Sequence, residues 1–314
     1  MKPTTEILAN MNRNSNKNKN EVFTRLYRYM LRPDLYYIAY EKLYANSGAS
    51  TKGVNDDTAD GFSEEKVNKI IESLRNETYK PHPVRRTYRK KPNGKMRPLG
   101  IPTFTDKLVQ EVLRMILESI YEPVFVKNSH GFRPGKSCHT ALKDLKGNFI
   151  GARWFVEGDI KGCFDNINHA KLVEIIGKKI KDARLIQLIW KFLKAGYMEN
   201  WKYNATHSGT PQGGIISPLL ANIYLHELDE FVIQMANDFY MPKKRVHTAE
   251  YDSLTSKIAY MNPKINAAEG EERARLIQQK KEMKKQRLKI PCKSQTDKRI
   301  TYVRYADDFL YFPL

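Results

Sequence analysis

Apolar positions along this chain recur with two periods, and their alternation predicts a mixed fold. Phe23, Leu26, Tyr27, Met30 and Leu31 fall at helical spacing over residues 21–31, and after the break at Arg32-Pro33-Asp34 a second short helix runs over 35–44. Ser63-Glu64-Glu65-Lys66 supplies an N-cap and first-turn acids for a helix to about residue 76. Leu108, Val109, Val112, Leu113, Ile116, Leu117 and Ile120 lay one apolar stripe along a helix over 105–120, which is core. Further helices are predicted over 138–145, 168–180, 183–195 and 218–231, the last opening on Pro218 as helices prefer. Strand character marks 84–91 and 95–101, separated by Pro92-Asn93-Gly94, whose backbone freedom suits a hairpin. Strands follow over 154–160, ending on Asp159, and in a short pair around 197–203. Residues 302–312 read as strand, tight turn, strand with Asp307-Asp308 at the turn. The class is α+β.

Three stretches lack this patterning. Residues 10–20 alternate Asn with Met, Arg, Ser and Lys, a low-complexity composition that predicts a mobile lead-in. Residues 47–61, rich in Gly, Thr and Asp, read as a loop. Residues 237–299 carry 16 Lys or Arg against 8 Asp or Glu. Within them a helix over 269–288 is charged nearly all round, which predicts exposure to solvent or to a polyanion. The strand pair with the acids follows at once, so this basic segment reads as an insertion within a domain.

Composition narrows the class. In 314 residues of 41% hydrophobic content, no apolar run approaches the roughly 18 needed to span a bilayer, so no membrane partner is expected. The first twenty residues lack the apolar region of a secretory signal. Cys138, Cys163 and Cys292 lie far apart, suggesting neither a disulfide framework nor a zinc site and fitting a reducing compartment. Those features predict a cytoplasmic protein of bacterial type, or an organellar one in a eukaryote. A net charge of +19 points to a polyanionic partner, most often nucleic acid; a highly soluble surface or an acidic-membrane binder is the alternative.

Candidate chemistry concentrates in three places. Asp307 and Asp308 repel one another unless a cation neutralises them, and Mg²⁺ suits one or two carboxylates plus substrate phosphates. Ordinary solvated turn chemistry is the bland alternative for that pair. Arg85, Arg86, Arg89, Lys90, Lys91, Lys95 and Arg97 crowd one hairpin, a density beyond what an edge strand needs and suited to clamping a triphosphate or a nucleic-acid backbone. His130 to Ser137 looks at first like a phosphate-binding loop, but only three residues separate Gly131 from Gly135 where that motif needs four. It reads instead as a turn with Arg133 and Lys136 available to nucleic acid. If the strands ending in Asp159 and flanking Asp307-Asp308 are neighbours, the three acids converge on a site able to hold two Mg²⁺ ions for in-line phosphoryl transfer.

Read together, Arg97-Pro98-Leu99-Gly100-Ile101-Pro102, Gly131-Phe132-Arg133-Pro134-Gly135, Asp159-Ile160-Lys161-Gly162-Cys163-Phe164-Asp165, Thr210-Pro211-Gln212-Gly213-Gly214 and Tyr305-Ala306-Asp307-Asp308 resemble, in identity and order, the reverse transcriptases encoded by group II introns, often called maturases. The resemblance covers about residues 20–235 and 300–312. It implies a right-hand polymerase fold: an N-terminal extension over 1–60, helical and β-hairpin fingers over 61–150, and a partial palm with a small antiparallel sheet over 151–314, interrupted by the insertion at 237–299. The thumb of the family's whole protein is expected to lie outside this chain, leaving a fingers-and-palm fragment.

By resemblance, Asp159, Asp307 and Asp308 are the metal-binding catalytic acids, with the Ile160 carbonyl adding a ligand to two Mg²⁺ ions, for which Mn²⁺ can substitute. Phe164 occupies the steric-gate position that favours deoxynucleotides. Gln212 and Gly213 lie beside the incoming nucleotide, and Lys91 and Arg97 grip its triphosphate. Implied partners are the intron RNA, an RNA template with a DNA primer, deoxynucleoside triphosphates and a second copy of the chain. Arg85, Arg86, Arg133, Lys136, Lys280 and Lys284 are the expected nucleic-acid contacts. An RNA-binding splicing cofactor without chemistry is the alternative reading.

Overall fold

The computed structural model describes residues 3–46, 48–92, 94–148, 154–210, 213–240, 247–292 and 299–313. The chain opens with helix α1 (Thr4–Lys17), whose second half falls where composition predicts a mobile arm or weakly structured lead-in over 10–20. Ile7, Leu8, Met11 and Ser15 fall on one face, Met11 and Ser15 are buried, and the Ser15 hydroxyl donates to the Ile120 carbonyl at 2.6 Å. Tertiary packing here overrides a sequence of weak helix formers.

The helix expected over 21–31 also gives way. Phe23 is extended and exchanges hydrogen bonds of 2.8 Å with the backbones of Lys179 and Lys181. Arg25 has φ 55°, and only Tyr27–Leu31 coil into a 3₁₀ turn. Phe23, Leu26, Tyr27 and Met30 are buried all the same, so the apolar pattern marked a core strip while the backbone solved it differently.

Helix α2 (Pro33–Tyr44) starts on its proline, and α3 (Glu64–Arg75) is capped by Ser63, which accepts from the Lys66 N–H at 3.2 Å. Strands β1 (Val84–Lys90) and β2 (Met96–Ile101) form the basic hairpin. Helix α4 (Phe104–Tyr121) is the axis of the core: its seven predicted apolar positions are all fully buried, and α1 and α2 pack on it. Helix α5 (Cys138–Asn148), strand β3 (Val156–Asp159) and the single turn α6 (Cys163–Asn166) follow. Next come α7 (His169–Lys179), α8 (Ala183–Leu193), and the short strands β4 (Tyr197–Glu199) and β5 (Lys202–Asn204). Asn168 and Asp182 cap α7 and α8. The chain ends through α9 (Ser217–Phe239), α10 (Ala249–Ala267), α11 (Gly270–Lys289), β6 (Ile300–Tyr305) and β7 (Asp308–Pro313).

Two sheets result. One has the order β2-β1-β4-β5, with β1 antiparallel to β2 and parallel to β4, Val84 standing opposite Tyr197. The hairpin over 197–204, assigned by sequence to the palm, thus completes a sheet with the basic hairpin over 84–101, expected in the fingers. The other sheet has the order β3-β7-β6, and its antiparallel register sets Asp159 opposite Asp308.

The chain divides into two compact units. The first comprises Met1–Ile150, Phe155–Ile233 and Tyr302–Tyr311, and so runs through the borders expected near residues 60 and 150. The second is built on Gln234–Thr301, near the expected basic insertion. In it α10 packs on α11 through Ile258, Met261 and Ile265, and the Arg287 guanidinium lies over the Tyr251 ring at 5.5 Å. No residue of α11 is buried, in keeping with its charged circumference. Among the described residues no helix is long and apolar enough to cross a membrane.

Candidate active site

A cleft of about 780 Å³ in the first unit is lined by Asp159, Ile160, Asp307 and Asp308 together with Lys91, Lys95 and Arg97 of the hairpin and Phe164 and Gly213. The three acids come from two sheet neighbours. Asp159 ends β3 directly opposite Asp308, the first residue of β7, while Asp307 sits in the turn between β6 and β7. The Ile160 N–H donates to the Asp307 carbonyl at 3.2 Å, fixing the turn against the end of β3. Burial pushes the Asp308 carboxyl above its ordinary range, and the charges of Asp307, Asp159 and Glu157 add to the rise. The neighbouring Cys163 thiol is pushed up to about 11, first by burial and then by Asp307.

Among the described residues, no three His, Cys, Asp or Glu side chains are gathered into a ready-made metal cluster. The acids share a cleft and repel, and their donors are all oxygen. That chemistry fits a hard divalent cation, which would offset the burial and like-charge repulsion at Asp308. The Ile160 carbonyl already accepts from the Cys163 N–H at 3.1 Å, leaving one lone pair for any further role.

What holds the acid turn was not legible as a motif. Arg304, on β6, is fully buried. Its guanidinium grips Asp229 of α9 through two bonds of 2.7 and 2.6 Å, and donates to Asn222 at 3.2 Å, to the Ser129 hydroxyl at 2.8 Å and to the Ala306 carbonyl at 2.7 Å. Burial opposes the arginine charge, but Asp229 outweighs it and holds the pKa above normal. The Tyr302 hydroxyl donates to the same carboxylate at 2.7 Å. A signal for this brace exists in the sequence: Asn222, His226 and Asp229 form a polar i, i+4, i+7 stripe on an otherwise apolar helix face, all buried.

Other backbones press close. A side chain on Gly131 would place its Cβ 2.3 Å from the Ala306 nitrogen, so only glycine lets this segment lie against the acid turn. Gly213, at φ 110°, would similarly strike the Gly100 carbonyl at 2.6 Å, which ties the loop before α9 to β2. The Phe164 carbonyl accepts from the Thr210 N–H at 2.7 Å, joining the candidate gate to that same loop. Gln212, expected beside the nucleotide, lies outside the described residues.

The expected nucleic-acid contacts fare unevenly. Arg133 is turned inward: it bonds the Glu122 carboxylate at 2.8 and 3.0 Å and the carbonyls of Val126 and Ser129 at 2.6 and 2.7 Å, so its donors are engaged within the fold. Arg85 holds the carbonyls of Lys52 and Gly53 at 2.9 and 3.0 Å. Arg86 lies over the Tyr197 ring at 3.9 Å and lines a separate cavity of about 360 Å³. Lys136 donates to the Lys127 carbonyl at 2.8 Å. In the second unit Lys280 contacts Asn262, while Lys284 is exposed on α11.

Residues 88–261 match the family described as reverse transcriptase (RNA-dependent DNA polymerase). The chain is 62% identical over 311 residues to the group II intron-encoded protein LtrA of Lactococcus lactis subsp. cremoris, covering 99% of this chain and 52% of that protein. It is 44% identical over 309 residues to an uncharacterized 91 kDa protein in the cob intron of Schizosaccharomyces pombe, covering 96% of this chain and 37% of the relative. To a putative COX1/OXI3 intron 1 protein of Saccharomyces cerevisiae it is 34% identical over 299 residues, covering 94% and 34%. The chain thus spans about half or less of the length of these relatives.

Proposed function

This chain belongs to the reverse transcriptase (RNA-dependent DNA polymerase) family, and from that premise we propose that it copies an RNA template by adding deoxynucleotides to a primer, in the service of a group II intron. The observation that carries the reading is the single cleft that gathers Asp159, Asp307 and Asp308 with Lys91, Arg97 and Phe164.

The residues divide the work by chemistry. The three carboxylates, with the Ile160 carbonyl, are the ligands for divalent metal. Bound there, Mg²⁺ would supply activation of the primer 3′-hydroxyl and neutralisation of charge on the phosphates. Lys91 and Arg97, which line the same cleft as the acids, meet the triphosphate and hold the departing pyrophosphate. The hydroxyl oxygen bonds the α-phosphorus, the bond to the β-phosphate bridging oxygen breaks, and the hydroxyl proton leaves to water. Phe164 presents an aromatic ring where the sugar sits, crowding a 2′-hydroxyl. Gln212 and Gly213 belong to the loop beside the nucleotide.

Primer extension on an RNA template with Mg²⁺ and deoxynucleotides, with Asp307→Ala as control, tests the reading. Extension by the native chain and none by the variant, at unchanged RNA affinity, supports it; equal extension by both sinks it. The second reading, an RNA-binding platform for splicing, draws on α11, a basic helix without a buried residue. Replacing Lys280 and Lys284 with Ala should flatten the fall of RNA affinity with salt by about 1 to 2 in log–log slope. An unchanged slope would exclude α11 as a contact surface.

A further inference from the structure

Phe132 sits in a left-handed backbone conformation, φ 57°, that is costly for a bulky L-residue. Both neighbours force it there. The Gly131 carbonyl accepts from the Asn222 side-chain amide at 2.8 Å, and Gly131 lies too close to Ala306 to carry a Cβ. On the other side the Arg133 guanidinium is anchored on Glu122, Val126 and Ser129. Pinned between these anchors, the Phe132 ring projects into the acid cleft, 54% exposed. A phenylalanine with that much surface in water and a strained backbone is not there for core stability. Among the described residues its ring meets the Phe164 ring, with centroids 6.1 Å apart and planes at 82°, an edge-to-face pair.

We infer that Phe132 is a positioning residue for sugar selection: its ring braces Phe164 in the orientation that excludes a ribonucleotide. The inference rests on the reading of Phe164 as the sugar gate. Phe164 is held at its backbone by Thr210 and is partly buried against the core. On the cleft side its ring meets Phe132, and that contact is the brace. Because Phe132 is anchored to the segment against Ala306, the brace is indexed to the same turn that carries Asp307. Sugar and reacting phosphate are therefore located from one reference point.

The test uses an RNA template annealed to a dideoxy-terminated DNA primer, so that no turnover is required. Ternary complexes with Mg²⁺ are titrated with dATP or ATP, giving the ratio of the two dissociation constants. Phe164→Ala should collapse the preference for dATP. Phe132→Ala should lower it about three- to tenfold while dATP affinity stays within twofold, and Phe132→Tyr, which keeps the ring edge, should restore it. The melting temperature of Phe132→Ala should stay near that of the native chain, since the ring buries little. A native preference in Phe132→Ala alongside a lost one in Phe164→Ala overturns the brace. Equal weakening of dATP and ATP in Phe132→Ala overturns it too, reassigning Phe132 as a general nucleotide contact. An unaltered preference in Phe164→Ala removes the gate itself, and the brace with it.

Discussion

Replacing Asp229 with Ala removes one carboxylate and strands two partners. The Arg304 guanidinium, with no solvent exposure, loses both short bonds, and the buried Tyr302 hydroxyl loses its acceptor. Breaking a buried pair from one side costs about 3–5 kcal/mol. Arg304 keeps its bonds to Asn222, Ser129 and Ala306, so the middle of that range is the expectation. A loss of about 4 kcal/mol corresponds to a fall of roughly 8–16 °C in Tm for a unit of this size. Thermal and urea unfolding followed by circular dichroism read it directly. Asp229→Asn, which keeps an acceptor and the volume but drops the charge, should fall between. The double replacement Asp229→Leu with Arg304→Met should recover most of the loss, since an apolar pair removes the stranded charge. Primer extension should fail in Asp229→Ala below its Tm, because Arg304 no longer fixes the Ala306 carbonyl. A destabilisation under about 1 kcal/mol would refute the claim that this pair is dry and structural.

Three further outcomes are expected. Gly131→Ala should destabilise by about 2–3 kcal/mol and abolish extension, because its Cβ meets the Ala306 backbone; Gly147→Ala, with nothing within 4 Å, should be neutral or slightly stabilising in the same melts. Iodoacetamide at pH 7.5, read by peptide mass spectrometry, should modify the exposed Cys138 and Cys292 at least roughly tenfold faster than Cys163, whose thiol is buried and pushed up to about 11; equal rates would refute the shielding. Asp57 is partly buried, which opposes its charge, but Lys66 and the Thr105 N–H and hydroxyl hold its carboxyl below the ordinary carboxylate range. A depressed carboxyl contributes fully above its unfolded pKa and loses that contribution as pH falls through the folded value. Asp57→Asn should therefore be less stable by about 2 kcal/mol at pH 7, with the gap closing only below about pH 4; a gap that widens on acidification would contradict the sign.

Long, strongly periodic elements were readable because their burial is one-sided. The stripe on α4, the Asn168 cap of α7 and the glycine-bearing basic hairpin each follow from local rules, and each is found. Helix α1 was missed because its apolar face is sparse, and only α4 makes it worth forming. The parallel pairing of β1 with β4 was missed because nothing in three residues of strand names a partner more than a hundred positions away. At the site, side by side acids were legible from charge alone, whereas their convergence with Asp159 was readable only on the condition that the strands are neighbours; neither strand alternates in burial, so the register that opposes Asp159 to Asp308 is set by the fold. Arg304, Asp229 and Phe132 were not singled out. Their roles depend on which buried neighbour each side chain meets, and Arg133 shows the converse: a basic residue in a nucleic-acid-like context can be consumed entirely by its own fold.

The clamp of Arg304 and Tyr302 on Asp229 also joins the two points where the chain departs from the first unit and returns to it. Everything between is topologically a loop whose mouth is already sealed. Loop-closure entropy grows only logarithmically, about 0.6 kcal/mol for each doubling of length, so the excursion can lengthen, shorten or be exchanged with little penalty to the sheet that carries the acids.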